Sequence, residues 1–290
     1  MKKIKILIPI YNDWQSVIEL LKNIDLQIIN LNAEVSVLII NDASIESRPE
    51  IDLNLNNLKS VQVINMKKNK GHARCNAAGL KYIIDKESFD YVIPMDGDGE
   101  DRPEELKLLI DKTDEYPDKV ITANRIKRSE GFFFKFCYFV HKYLTFIFTG
   151  KSIKFGNYTC LPRSTVSQMI EEPATWSSFS GSLSKISKDQ KSISSIRGSR
   201  YFGPSKMNFF NLLLHSLSII AVFKITVLFR SIIFLAVYIF LILQHISFVT
   251  VIPVILVIIM IFSVFTLSGR ENISELNNSL DNISNIENLK

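Results

Sequence analysis

The chain has 290 residues, a length that suits one large domain or two ordinary ones. Hydrophobic residues make up 47% and charged residues 22% of the composition, which excludes an intrinsically disordered chain. The net charge is +5, yet residues 231–268 contain no Lys, Arg, Asp or Glu, so the basic excess lies before that stretch. This distribution favours a basic face near an anionic membrane surface and argues against a nucleic-acid partner.

The cysteines and histidines argue against a disulfide framework and against a zinc site. The three cysteines form no CxxC pair, and the four histidines are scattered, which fits a reducing compartment. The N-terminal run MKKIKILIPIYND leads into a polar turn instead of a small-residue cleavage site. We therefore expect no signal peptide at this point.

Short apolar runs rich in β-branched residues alternate with helical patterns over the first 125 residues. The predicted strands are 4–10, 35–41, 61–65, 91–95 and 119–123, and the predicted helices are 14–30, 72–85 and 103–116. The strands are almost continuously apolar, as strands buried on both faces are. The alternation predicts an open, mostly parallel α/β sheet with helices on both faces, and a ligand site at the carboxyl ends of the strands.

Polar side chains follow three of the predicted strands at this edge: Tyr11-Asn12-Asp13, Asn41-Asp42, and the acidic turn DGDGED at 96–101. Carboxylates this dense repel one another unless something positive holds them. Gly97 and Gly99 let the backbone fold closely around a ligand. The pattern predicts a divalent cation that bridges the carboxylates to a diphosphate, whereas an acidic turn without a ligand is the alternative.

Two aromatic or apolar segments follow the α/β pattern. The first, residues 131–148, predicts an amphipathic helix on a membrane or another apolar surface, in an interfacial region that spans 126–150. The second, residues 207–223, predicts a helix of the same kind in a region that spans 206–225. The alternative is an ordinary core helix in each case.

The apolar runs 231–247 and 248–268 are together too long for one membrane crossing and predict a helical hairpin within 226–270. Lys206, Lys224 and Arg230 precede the hairpin and Arg270 follows it, which places both of its ends in the cytoplasm. Two buried helices of a soluble protein are the alternative. Residues 271–290, rich in Asn, Ser and Glu, are expected to be a loosely ordered tail, and residues 1–205 the α/β domain.

Four segments in this order, IPIYND, IINDAS, NKGHARCNAAGL and MDGDGEDRPEEL, resemble the nucleotide-sugar domain of family 2 glycosyltransferases, which have the GT-A fold. Later segments, NRIKRSEGFFFK, GNYTCLPRS and SRYFGPSK, with the two terminal apolar runs, resemble the polyprenyl-phosphate glycosyltransferases. That group includes dolichol-phosphate mannose synthase and the bactoprenol glucosyltransferases. The resemblance covers about residues 3–268.

The resemblance implies roles for the donor side. Pro9, Tyr11 and Asp13 would form the nucleoside pocket, where the family usually has Glu in place of Asp13. Asp42 would read the base or ribose, while Asp96 and Asp98 would hold Mg²⁺ or Mn²⁺ and the diphosphate. The family often has Gln where this chain has Glu100, which is either a third metal ligand or a source of repulsion.

The resemblance also implies an acceptor side. Arg125 and Arg128 match arginines near the acceptor phosphate, and Arg200, Gly203, Ser205 and Lys206 match a late RxxGxSK motif. The arginines at 125 and 128 could instead form a solvated basic edge, and Lys206 could serve only as a topology charge. His72 is expected to cap or pack its helix, with contact to a phosphate as the alternative, and Asn157 resembles a family position without a role that the residues reveal.

We therefore expect an inverting transferase at the plasma membrane that moves a sugar from a UDP- or GDP-linked donor to a polyprenyl phosphate, undecaprenyl phosphate in a bacterium. A lipid phosphate is already ionised, so it needs cations and not a general base. The chain lacks the QxxRW motif of processive relatives, since neither Trp14 nor Trp176 follows an arginine.

Three questions remain open at the level of the sequence. A membrane-bound family 2 enzyme could form a glycosidic bond on a cell-surface polysaccharide or lipid-linked oligosaccharide, with Glu100 or Asp101 as base. A membrane scaffold without activity is the rival from another class. The protein is also expected to form a homo-oligomer, for example a tetramer.

Overall fold

The computed structural model describes residues 1–50, 53–127, 132–204 and 209–290, with only the backbone for 127, 132–138, 141 and 209. The strands are β1 (Lys2–Ile10), β2 (Ala33–Asn41), β3 (Ser60–Met66), β4 (Tyr91–Pro94), β5 (Ile121–Lys127), β6 (Thr159–Pro162), β7 (Lys191–Ile196) and β8 (Ile283–Asn288). They form one sheet in the order β7-β5-β6-β4-β1-β2-β3-β8. Four pairings are parallel (β1–β2, β1–β4, β2–β3, β5–β7), whereas β6 and β8 run antiparallel to their neighbours.

The helices are α1 (Trp14–Gln27), α2 (His72–Lys86), α3 (Leu106–Glu115), α4 (Phe132–Thr149), α5 (Arg163–Glu171), α6 (Phe179–Ile186), α7 (Phe209–Ala221), α8 (Lys224–Ile242), α9 (Phe248–Ser268) and α10 (Ile273–Asn277). Short 3-10 turns span Pro103–Glu105, Pro173–Trp176 and Ser279–Asn282. The five predicted strands and the three predicted N-terminal helices are confirmed within a few residues. The helix predicted from 103 begins as a 3-10 turn with Pro103 in its first position, where a missing N–H costs nothing.

The central strands are buried on both faces. Ile4, Ile6 and Ile8 of β1 pack on one side with residues of α1 and α3, while Leu7 packs on the other side with residues of α2, α5 and α6. Successive side chains of a strand point to opposite faces, so a strand covered on both sides has no polar face. This arrangement explains the continuous apolar runs and leaves the strand ends as the place for polar side chains.

Helices α8 and α9 form a hairpin, and each is long and apolar enough to cross a membrane. The predicted second run matches α9, whereas the first helix starts at Lys224 and ends at Ile242 instead of spanning 231–247. The large apolar side chains of both helices are mostly exposed, as in Phe240 and Phe262. A core helix of a soluble protein would bury them.

The helices predicted at 131–148 and 207–223 are confirmed as α4 and α7. Residues 131, 207 and 208 of these predictions lie outside the described residues. Helix α4 packs against α8, and α7 packs against α9. Exposed apolar side chains continue from the hairpin onto α4, at Phe139, Tyr143 and Phe146. The contact of these helices with a membrane surface stays a prediction.

The expectation of a loosely ordered tail is wrong. After the hairpin the chain forms α10, capped by Asn272, and then β8, which pairs antiparallel with β3. Leu276 is fully buried, and Leu280 and Ile283 pack against the core. An unpaired β3 would expose a row of backbone N–H and C=O groups, and a polar segment with spaced apolar residues suits a strand that covers such an edge. Residues 283–288 therefore belong to the same sheet as the N-terminal strands.

Candidate active site

The polar sets predicted after β1, β2 and β4 lie together at the carboxyl edge of the sheet. The Arg200 guanidinium joins two of them, with Nη2 2.6 Å from Asp13 Oδ2 and Nη1 2.5 Å from Asp98 Oδ2. The backbone N–H of Asp42 donates to the carbonyl of Ile10 at 2.9 Å, which brings the end of β2 beside the end of β1. The convergence expected from the strand pattern is thus present.

Each carboxylate of the acidic turn has its own basic partner. Three partners are arginines, and the fourth is a histidine. The pairs are Asp96–His72 (3.4 Å), Asp98–Arg200 (2.5 Å), Glu100–Arg197 and Asp101–Arg125 (3.2 Å). Three of the four carboxylates are therefore compensated by an arginine charge within the protein, whereas the histidine beside Asp96 adds a charge only when it is protonated.

Asp101 is the structural member of the turn. Its side chain is 3% exposed, and its Oδ2 accepts a hydrogen bond from the backbone N–H of Asp96 at 3.0 Å. Burial and repulsion by Asp96 raise the pKa of Asp101 to about 7, against the opposing effect of Arg125. The pair Arg125–Asp101 thus holds the start of the turn, and the predicted acceptor residue Arg125 is engaged in that pair.

Asp96 and Asp98 differ in their proton affinity. Burial raises the pKa of Asp96, but the charges of His72 and Arg125 and a hydrogen bond from Asn157 outweigh it and leave that pKa below its ordinary value. Burial and repulsion by Asp96 raise the pKa of Asp98 to about 6. Near neutral pH both carboxylates are mainly ionised.

These two carboxylates fit a divalent cation. Mg²⁺ and Mn²⁺ are commonly held by one or two carboxylates, with phosphate oxygens of the substrate completing the shell. Over the described ranges, no group of three or more His, Cys, Asp or Glu side chains is placed to hold a metal ion, so the predicted three-ligand set Asp96, Asp98 and Glu100 is not assembled. The Glu100 carboxylate, predicted as a possible third ligand, is engaged by Arg197.

Residues 198–201 pack directly on the acidic turn. The backbone N–H of Tyr201 donates to the carbonyl of Asp98 at 3.0 Å, and that of Gly198 donates to the carbonyl of Glu100 at 2.8 Å. Gly99 has φ +88°, and a Cβ there would lie 2.5 Å from the Tyr201 ring. Only glycine permits both the backbone conformation and the close ring.

Gly99→Ala is therefore expected to destabilise the protein by about 2 kcal/mol, through the left-handed backbone and the clash with Tyr201. Thermal unfolding of the purified protein measures this loss. Gly203→Ala is the matched control, because Gly203 has φ +66° but open space around the added Cβ. Equal losses in the two variants would show that the contact with Tyr201 contributes nothing.

On the donor side, Asp42 supports a loop. It is 3% exposed, and its two carboxylate oxygens accept hydrogen bonds from the backbone N–H groups of Lys70 and Gly71, each at 2.8 Å. Pro9 is buried near the end of β1, and Tyr11 is 42% exposed beside the site. The predicted contact of Asp42 with a base or ribose stays a prediction.

Sequence reasoning missed three partners of the turn: His72, Asn157 and Arg197. Asn157 donates to Asp96 Oδ1 at 3.1 Å and lies 2.7 Å from His72 Nε2. The position of His72 at the start of α2 was a signal, since this helix begins at the same sheet edge. Arg197 stands three residues before Arg200, and nothing in the local pattern distinguishes it as the partner of Glu100.

The structure describes only some of the residues predicted to bind the acceptor phosphate. Arg128, Ser205 and Lys206 lie outside the described residues, so their predicted roles stay predictions. His215 lies on α7, which packs against α9 of the hairpin and against α6.

Comparison with known proteins matches this site to one family. The family model described as glycosyl transferase family 2 matches residues 5–165. Similar curated proteins include the undecaprenyl-phosphate 4-deoxy-4-formamido-L-arabinose transferases of Klebsiella pneumoniae (strain 342), 27% identical, and Salmonella choleraesuis (strain SC-B67), 28% identical. Each match spans 219 residues and covers 73% of this chain. The chain spans about 65% of the length of these relatives.

Solved structures share the fold. Glucosyl-3-phosphoglycerate synthase from Mycobacterium tuberculosis, in complex with Mn²⁺, UDP and glucosyl-3-phosphoglycerate, has a TM-score of 0.55 at 12% identity, over 79% of this chain and 80% of that one. The mannosyltransferase PcManGT from Pyrobaculum calidifontis, in complex with GDP-Man and Mn²⁺, has a TM-score of 0.51 at 11% identity, over 97% and 87%. At these identities the likeness shows the fold alone.

Proposed function

This chain belongs to glycosyl transferase family 2, whose model matches more than half of it, and we propose that it transfers a sugar from a UDP- or GDP-linked donor to a polyprenyl phosphate. The product is a polyprenyl-phosphate sugar, and the lipid is undecaprenyl phosphate. The curated relatives named undecaprenyl-phosphate transferases support this acceptor, since the match covers 73% of this chain.

One observation carries the choice of a phosphate acceptor. A sugar hydroxyl needs a general base, and the two candidate bases, Glu100 and Asp101, are engaged by Arg197 and Arg125. In the described part of this edge, Asp13 and Asp98 are paired with Arg200 as well. An ionised phosphate needs no base, so a site whose two candidate bases are both paired with arginines favours it over the glycosidic-bond alternative.

Asp96 and Asp98 would hold a divalent cation, which when bound supplies charge neutralisation for the departing diphosphate. In the structure Arg200 supplies the positive charge beside Asp98. A cation at Asp98 would replace that charge and leave the guanidinium with Asp13. In-line attack by the phosphate on the anomeric carbon inverts its configuration.

The acceptor phosphate would arrive from the side of α7 and the apolar helices. Arginine suits phosphate through its fixed fork of donors, and we propose Arg125, Arg128 and Arg200 as ligands, with Ser205 and Lys206 beside them.

The α8–α9 hairpin would span the membrane with the sheet on the cytoplasmic side. The pairing of β8 with β3 supports this topology, because the chain returns to the same sheet after the hairpin and an even number of crossings follows. Lys224 and Arg230 before the hairpin and Arg270 after it agree with the positive-inside rule. A homo-oligomer stays a prediction that light scattering in detergent would measure.

The function is tested by identifying donor and product. UDP-, GDP-, CDP- and dTDP-sugars, with and without Mn²⁺, are screened by thermal shift; a donor at a hundred times its Kd stabilises by about 2.7 kcal/mol. The product formed with undecaprenyl phosphate is then treated with mild acid. Release of free sugar and polyprenyl phosphate is expected, whereas an acid-stable product would support a glycosidic bond. Failure of every donor to bind would revive the scaffold alternative.

Mn²⁺ binding should depend on pH through Asp98. The pKa of Asp98 is about 6, so the carboxylate is ionised above that value and protonated below it. Protonation competes with the metal, and affinity is expected to fall about tenfold per pH unit below 6 and to level off above 7. Electron paramagnetic resonance of free Mn²⁺ measures this. An affinity independent of pH between 5 and 7 would contradict a role for Asp98 as ligand.

A further inference from the structure

The C-terminal segment (residues 272–290) lies on two loops that border the donor site. The Arg48 loop (residues 43–50) follows β2, and the Lys70 loop (residues 67–71) joins β3 to α2. We propose that the C-terminal segment holds both loops in the conformation that binds the nucleoside diphosphate, with Glu287 as a positioning residue. The inference rests on the proposed function.

The Lys70 loop is held through backbone groups. The N–H of Lys67 donates to the carbonyl of Asn282 at 2.7 Å, and Asn282 Nδ2 donates to the carbonyl of Lys68 at 2.9 Å. Lys67 Nζ also donates to the carbonyl of Asp281 at 2.8 Å. The same loop presents the N–H groups that bind Asp42, so the C-terminal segment supports the loop on which Asp42 acts.

The Arg48 loop is held through Glu287. One carboxylate oxygen of Glu287 lies 3.0 Å from Arg48 Nη1, and the other accepts from Asn65 Nδ2 at 2.7 Å. The Arg48 guanidinium lies 5.9 Å from the centre of the Trp14 ring. Glu287 therefore joins the edge strand β8 to a loop that crosses the start of α1.

A chain of hydrogen bonds continues from Glu287 to the first donor loop. Asn65 Oδ1 accepts from Asn41 Nδ2 at 2.8 Å, and Asn41 Oδ1 accepts from the N–H of Ser44 at 3.1 Å. Ser44 Oγ accepts from the N–H of Asn12 at 2.8 Å. Asn12 stands between Tyr11 and Asp13, the residues expected to border the nucleoside.

These contacts act on binding more than on folding. The Glu287–Arg48 pair is about one third exposed, and exposed pairs contribute little to stability. Short polar loops lose conformational freedom when a ligand binds, and loops that are already fixed lose less. Loss of Glu287 is therefore expected to weaken nucleotide binding while the fold stays intact.

The test uses the full chain in nanodiscs, with UDP and GDP as probes, each with Mn²⁺. Isothermal titration gives the Kd for wild type, Glu287→Gln, Arg48→Gln and the double variant. Asp281→Asn is the matched control, because it removes the same charge from an exposed side chain in the same segment and keeps the backbone carbonyl that accepts from Lys67. Thermal unfolding and the kcat at saturating donor are measured alongside.

We expect Glu287→Gln and Arg48→Gln each to raise Kd about fivefold, with the double variant no weaker than the singles. Each substitution removes the same ion pair, while an amide oxygen at position 287 can still accept from Asn65. Asp281→Asn should bind like wild type, and kcat should stay within about twofold. A Kd for Glu287→Gln equal to that of Asp281→Asn would overturn the inference, as would additive effects in the double variant. Failure of the wild type to bind either nucleotide would overturn the proposed function, and this inference with it.

Discussion

Asp98→Asn is expected to lower kcat/KM for sugar transfer by about 10³-fold. Asp98 is one of the two carboxylates at the sheet edge that we propose as ligands of the divalent cation, and asparagine keeps its shape while removing its charge. Arg200 keeps its contact with Asp13 in this variant, so the fold should persist. Transfer to undecaprenyl phosphate in the presence of Mn²⁺ measures the loss.

The control for this prediction is Asp118→Asn, which removes the same charge from an exposed site before β5. Its activity should equal that of wild type. Binding of Mn²⁺ in the presence of nucleoside diphosphate separates loss of the metal from loss of the fold. If Asp98→Asn keeps more than about a tenth of the activity while Mn²⁺ is present, Asp98 does not hold the metal.

Arg125→Ala is expected to destabilise the protein by about 3 kcal/mol, because it leaves the Asp101 carboxylate buried without its partner. In thermal unfolding this corresponds to a fall in Tm of roughly 10 °C. The loss should be greatest above pH 7 and shrink toward pH 5.5. The pKa of Asp101 is about 7 with Arg125 present, so below that value the carboxyl is neutral and needs no cation.

A double variant separates this structural role from binding of the acceptor phosphate. Arg125→Met combined with Asp101→Asn removes both charges, and the asparagine oxygen can still accept from the N–H of Asp96. We expect most of the lost stability to return. If transfer returns as well, Arg125 only supports the turn; if transfer stays low in the stable protein, Arg125 also contacts the acceptor. A Tm of Arg125→Ala within about 2 °C of wild type would contradict the structural role.

The sequence predicted much of this site, because strands and their ends are local features. Apolar runs place Asp13, Asp42 and Asp96 after β1, β2 and β4, and a parallel sheet brings such ends together. The basic partners of the acidic turn could not be predicted from strand ends, because they lie far from the turn in the sequence. Arg197 and Arg200 come from positions 97 and 102 residues away from their carboxylates. Their pairing depends on how the segment after β7 crosses the sheet edge.

The hairpin could be predicted from the sequence, whereas the structure of the C-terminal segment could not. The sequence by itself determined that α8 and α9 are long apolar helices, since length and composition suffice for that. It also determined the alternation of strands and helices in the first 125 residues and the place of the acidic turn after a strand. Only the tertiary structure decided the fate of residues 271–290, because a polar segment becomes a strand when a free sheet edge offers it backbone partners. The tertiary structure also decided which arginines pair with the carboxylates of the turn. A buried carboxylate is stable only beside a positive charge, and only folding brings Arg125 to Asp101 and Arg200 to Asp98.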